Sequence, residues 1–234
     1  MTGAGKRIKE AKAAIEDRLY SVGEAVSIVK RNAEREKFDS TIEIAINLNV
    51  DPKHADQMVR GVTPLPSGTG KTVIVAVFAK GDKAEEAKNA GADIVGDDEY
   101  IDKLKSGKID FDTCIATPDM MAALGKIARV LGPKGLMPNP KLGTVTADVT
   151  AAVKAVKAGQ VEYRVEKNGI IQAGIGKASF SEKDIISNVI AFTKAIIQAK
   201  PSGAKGTYIQ KISICSSMSP SVQLDIAGLL AEAA

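Results

Sequence analysis

The sequence predicts a chain of mixed α/β and α+β class in two domains. One is a split α+β domain with an antiparallel sheet. The other is an inserted three-layer α/β, Rossmann-like domain with a parallel sheet. Two observations carry this reading. Near both ends of the chain, apolar and polar residues alternate, the pattern of a sheet with one face on a core and one left open. In the middle, strand-like segments are continuous apolar blocks separated by helical segments, the pattern of strands covered on both faces. The texture changes at glycine-bearing connectors, so residues 1–66 and 160–234 are expected to form the split domain and residues 67–159 the insert.

The elements follow in order. Lys6 to Tyr20 is charged and Ala-containing and reads as an exposed helix. Ser21 is an expected N-cap, with Glu24 three residues later completing a capping box; the helix it starts runs to about Glu36. Ile42, Ile44, Ile46, Leu48 and Val50 then alternate with Thr41, Glu43, Ala45, Asn47 and Asn49, the clearest strand in the chain. Thr63 to Gly70 holds two prolines and two glycines and is a connector.

Thr72 to Ala79 is a buried strand, followed by a helix from Lys83 to Ala90 and a short strand from Ala92 to Val95. A helix from near Asp98, a strand from Phe111 to Ala116, and helices over Pro118 to Val130 and Ala147 to Ala158 complete the insert. Alternation returns from Val161 to Glu166. Asn168-Gly169 predicts a hairpin turn to a strand from Ile170 to Gly176. A helix from Glu182 to Ala199 and a strand from Thr207 to Ser216 close the chain.

Composition narrows the function. The chain has 234 residues, 44% hydrophobic and only 4% aromatic, so its cores rest on Ile, Val, Leu and Ala. A net charge of +4 permits a polyanionic partner without demanding one. Cys114 and Cys215 sit in apolar runs and read as buried reduced thiols; there is no Cys-x-x-Cys, so no structural zinc site and no other metal is expected. No signal peptide or bilayer-spanning stretch is seen, which points to a cytoplasmic protein with no membrane partner.

Catalytic readings fare poorly. Gly68-Thr69-Gly70-Lys71-Thr72 resembles the end of a phosphate-binding loop, but Leu65 stands where its first Gly belongs, and a strand follows where a helix is needed. Lys80-Gly81-Asp82-Lys83 lacks the dinucleotide fingerprint. The lone histidine, His54, lies in a polar turn, which leaves no nucleophile–histidine pair. Asp97, Asp98 and Glu99 read as a helix start rather than a cation site. The chain is therefore expected not to be an enzyme and to have no cofactor and no small-molecule substrate. The competing class is an enzyme that binds a phosphorylated ligand near Gly132 to Gly135. A DNA-binding regulator is disfavoured because no basic recognition helix is visible.

One loop and one pair of segments suit RNA. Gly132 to Lys141, with three prolines and with Lys134 and Lys141, reads equally as a stiff connector or as a cationic loop meeting phosphates. Lys37-Phe38-Asp39-Ser40-Thr41 and Cys215 to Pro220 offer hydroxyls for 2′-OH and phosphate, with Phe38 and Met218 to pack on sugars or bases; core and turn roles are the alternative.

Five separated motifs together resemble one family. They are Arg60-Gly61 with Leu65 to Lys71, Gly132 to Val145, Lys177 to Phe180, Lys205 to Thr207, and Ser217 to Val222. The chain is similar to bacterial large-subunit ribosomal protein one, of the mobile stalk beside the tRNA exit site. The resemblance implies RNA-binding residues at Lys37, Phe38, Thr41, Gly206, Thr207, Ser217, Met218 and Ser219, with Lys134 and Lys141 as a second contact. Partners implied are large-subunit ribosomal RNA of the stalk, exit-site tRNA and the messenger of its own operon, whose translation it would repress. Outside the ribosome it would be a monomer. The linkers suggest a hinge at Pro66, Gly68, Gly70 and Gly159, which Gly68→Pro with Gly159→Pro is expected to stiffen. Three residues depart from the family's pattern: Ser67 stands for a usual His, Ser219 for a usual Gly, and Gln223 for a common Arg.

Overall fold

The structure is a computed structural model that describes residues 5–104 and 109–233. In chain order the elements begin with α1 (Lys6–Ala13), α2 (Val22–Ala33), β1 (Thr41–Leu48), β2 (Arg60–Pro64), β3 (Val75–Phe78) and α3 (Asp82–Asn89). Then come β4 (Ile94–Gly96), α4 (Asp98–Leu104), β5 (Thr113–Ala116), α5 (Met121–Gly125), α6 (Ala128–Leu131) and α7 (Val149–Lys157). The last are β6 (Gln160–Arg164), β7 (Ile170–Lys177), α8 (Glu182–Gln198), β8 (Ile209–Ser216), β9 (Val222–Gln223) and α9 (Ile226–Ala233). The chain forms two compact units, Met1–Gly70 with Val161–Ala234, and Lys71–Gln160.

In the first unit a four-stranded sheet runs in the order β7-β1-β8-β9, antiparallel at every pairing. The alternation in β1 places Ile42, Ile44, Ile46 and Leu48 in the core with Val26 and Val29 of α2 and Val189 and Phe192 of α8. Its other face carries Thr41, Glu43, Ala45 and Asn47. The register shifts between Ile42 and Glu43, because Ile42 pairs with Gly176 and Glu43 with Gly174. Ile175 is the extra residue of a bulge, which bends the end of β7 beside the start of β1.

Ser21 caps α2 as its sequence requires: its side chain accepts from the Glu24 N–H, and the Glu24 carboxylate accepts from the Ser21 N–H. The helix expected from Lys6 to Tyr20 ends at Ala13 instead, and Tyr20 joins the sheet side, paired with Leu224. Asn168-Gly169 does turn the chain, with Gly169 at φ 76°. Yet β6 and β7 are not hairpin partners. β6 pairs with β2 in a separate two-stranded sheet, and β7 pairs with β1.

In the second unit β4-β3-β5 form a parallel sheet between two helical layers. Val75 and Val77 of β3 face Ala87 of α3 and Val149 and Val153 of α7. Ala76 and Phe78 face Ile101, Leu124 and Leu131 on the opposite side. This is the three-layer arrangement that the continuous apolar runs predict. The helix expected over Pro118 to Val130 is broken: Ile127, at φ −108° and ψ 10°, leaves helical geometry between α5 and α6.

Candidate nucleic-acid interface

One end of the first unit's sheet gathers the start of β1, the end of β7 and the end of β8. Thr41 pairs with Lys177, and Ile42 with Ser216. The Ser217 N–H donates to the Thr41 carbonyl at 3.1 Å, and the Ser217 hydroxyl reaches the same carbonyl at 3.3 Å. Lys177 Nζ donates to Thr41 Oγ1 at 2.9 Å. Asp39 accepts from the Ser179 N–H and hydroxyl, which fastens the segment before β1 to the segment after β7. Lys37, Phe38, Thr41, Ser217, Met218 and Ser219 thus share one rim.

The rim's apolar groups face solvent. Phe38 is 54% exposed and Met218 is 56% exposed. Lys37 and Ser217 are exposed as well, and Thr41 and Ser219 are partly exposed. The expectation that Phe38 could belong to the core is overturned. Two large apolar side chains held in water beside lysine and hydroxyl groups suit stacking and sugar contact on a polyanion.

A residue that sequence reading missed organises this rim. Glu36, at the end of the α2 segment, has a side chain only 1% exposed. Its Oε1 accepts from Arg7 Nη1 at 3.1 Å, from the Ser219 hydroxyl at 3.0 Å and from the Ser216 hydroxyl at 3.3 Å. Arg7 Nη2 also donates to the Met218 carbonyl at 2.8 Å. Burial by itself would raise the Glu36 carboxyl. The hydrogen bonds from Arg7, Ser219 and Ser216 outweigh burial and hold it below the ordinary glutamate range. The carboxylate therefore fixes the turn that carries Met218. Ser219 folds its side chain back onto Glu36.

Gly206 and Thr207 are exposed, but they precede β8, whereas Ser217 to Ser219 follow it. A strand of that length sets the two segments on the order of 25 Å apart. The structure does not bring them together with the rim.

The Ser67 hydroxyl donates to Asp184 at 3.0 Å, and Gln223 lies in β9 opposite Ser213. Both are tied into the first unit.

Lys134 and Lys141 are exposed on the second unit. Their loop is stiffened by Asn139, whose N–H donates to Thr144 Oγ1 at 2.8 Å and whose side chain accepts from the Lys141 N–H at 2.9 Å. Leu136 and Met137 pack on the core below it. The loop is thus a stiff connector that leaves both lysines in water. The side chains of Asp98 and Glu99 lie outside the described residues.

The hinge residues prove to be seated. Gly68 and Gly70 have φ 68° and 69°, and Gly159 has φ 94°. The Gly159 N–H donates to the Val156 carbonyl at the end of α7, a left-handed cap. Pro66 is exposed. The compact units divide after Gly70 and after Gln160.

Among the described residues no group of three or more His, Cys, Asp or Glu could hold a metal ion, and no helix is long and apolar enough to cross a membrane. The exposed rim gathers hydroxyls, lysines and two apolar side chains, groups whose chemistry suits a nucleic-acid partner. Residues 29–220 match the model of the ribosomal protein L1p/L10e family, and the chain belongs to that family. Its members are structural, non-enzymatic proteins of the large ribosomal subunit that bind ribosomal RNA.

Proposed function

We propose that the rim of the first unit grips the mobile-stalk segment of large-subunit ribosomal RNA, with Lys37, Phe38, Thr41, Ser217, Met218 and Ser219 in contact. The observation that carries this is the buried Glu36 carboxylate, which holds Met218 outward and braces the turn through Arg7 and two serines. A pre-set turn loses little freedom on binding, which favours shape recognition of a folded RNA. Gly206 and Thr207 would meet RNA only as a separate contact. Lys134 and Lys141 would supply another from the second unit.

In this reading the second unit moves on its two linkers and helps release deacylated tRNA from the exit site. The same rim also binds a messenger segment of the protein's own operon and represses its translation. The chain acts in the cytoplasm, as a monomer when off the ribosome and without a cofactor. Support for the moving unit is the division of the chain at two short connections.

The test is gel-shift binding to a transcript of the ribosomal RNA stalk across a salt series. The parent binds tightly. Met218→Asp, which sets a carboxylate against phosphates, weakens binding on the order of 100-fold, and Phe38→Ala about tenfold. An operon-leader transcript competes for the same site and loses affinity in parallel. Absence of parent binding at low salt, with the fold intact, overturns the reading.

A further inference from the structure

We infer that α1 is a second RNA-backbone contact, continuous with the rim, through Lys6, Lys9 and Lys12. The inference rests on the rim reading above and extends it to a helix outside the residues that match the family.

The helix KRIKEAKA turns Ala11 into the protein and leaves Lys6, Lys9 and Lys12 exposed. Residues three apart are neighbours on a helix surface, so the three lysines form one band. The acids near them are already paired. Glu10 is bound by Arg35 at 3.3 Å, and Glu36 by Arg7 at 3.1 Å. The three lysines form no ion pair among the described residues, and neither does Lys37.

Helix stability accounts for Lys12, in the last turn, but not for the charge at the other end. Lys6, Arg7 and Lys9 occupy the first turn, where there is no acid, and cations there oppose the helix dipole. Nor is the helix loosely attached. Arg7 reaches both the Met218 carbonyl and the carboxylate that braces Ser216 and Ser219. One arginine therefore fixes the lysine band to the rim, and an RNA seated on Met218 would carry its backbone past α1. Lysines at such a place act as point charges on phosphate, adding affinity and salt dependence but no sequence preference.

The test uses the full chain and the stalk transcript, with salt varied from about 50 to about 200 mM. Replacing all three residues (Lys6→Gln, Lys9→Gln, Lys12→Gln) keeps helix propensity. The variant is expected to bind roughly tenfold more weakly near 100 mM salt, with a log–log salt slope shallower by about 2 to 3. The corresponding Lys→Arg triple variant keeps the parent's slope, which separates charge from folding. Parent-like affinity and slope in the Gln variant, or equal loss in the Arg variant, overturns the role of α1 and leaves the rim standing. Failure of the parent to bind removes both.

Discussion

The Asn188 side chain, fully buried in α8, donates to the Gly68 carbonyl at 3.0 Å and to the Ile175 carbonyl at 2.7 Å. Its Oδ1 accepts from the Ser67 N–H at 3.1 Å. One amide thus clamps the first linker onto the helix and onto the bulged end of β7. Replacing Asn188 by Leu strands one buried and two part-buried backbone groups, with an expected loss of about 1–3 kcal/mol. Urea unfolding of the Asn188→Leu variant checks this. Unchanged stability would mean the clamp contributes nothing.

The linker glycines set the next expectation. Pro fixes φ near −65°, whereas Gly68 and Gly159 need positive φ and donate their N–H groups to Leu65 and Val156. The pair Gly68→Pro and Gly159→Pro would therefore unseat the connections rather than stiffen them. Gly70 is tighter still: a Cβ there would come 2.8 Å from Lys177 Cγ and 2.9 Å from the Phe180 ring. Gly70→Ala is expected to cost about 1–3 kcal/mol and lower the melting temperature. Because Lys177 also holds Thr41, it should weaken stalk RNA binding too. A melt and affinity equal to the parent's would refute the close seat.

Glu36 makes the rim sensitive to acid. Its native carboxyl lies below the ordinary value of 4.5. A depressed native value contributes stability at pH above the unfolded value, and that stability is lost as pH falls through the native one. RNA affinity and stability should both decline from about pH 4.5 downward, and Glu36→Gln should flatten that part of the profile. At neutral pH the substitution should cost roughly 2 kcal/mol. A parent and variant with superimposable acid profiles would show that Glu36 does not carry the effect.

The fold was legible where its signals are local. Ser21 with Glu24 names its own helix start, and the Ile42 to Leu48 alternation names its inner face. Asn168-Gly169 says that the chain turns but not which strands pair, so β6 went to β2 against the simplest hairpin. The short β9 and the helix α9 lack a periodic run long enough to read. Phe38 and Met218 could be picked out as candidates, but their exposure could not. Glu36 was invisible because its partners are distant in sequence: Arg7, Ser216 and Ser219 lie 29, 180 and 183 residues away. A buried carboxylate is a property of packing, and single-residue patterns do not carry it.

The two cysteines give a final test, because they are not alike. Cys114 is buried in β5, and burial pushes its thiol up to about 12. Cys215 is only partly buried; burial first, and then the charge of Glu43 opposite it in β1, raise its thiol as well. At pH 8 the thiolate of Cys114 is about one part in ten thousand and has no path to a reagent. A disulfide reagent should therefore modify Cys215 slowly in the native protein and Cys114 only after unfolding. Raising the pH should speed the reaction at Cys215, and Glu43→Gln should speed it at constant pH by removing the opposing charge. Cys215 lies two residues before Ser217 on the strand that ends at the rim, so bound stalk RNA should slow its modification. Equal rates at Cys215 with and without RNA would place the RNA away from this end of the sheet.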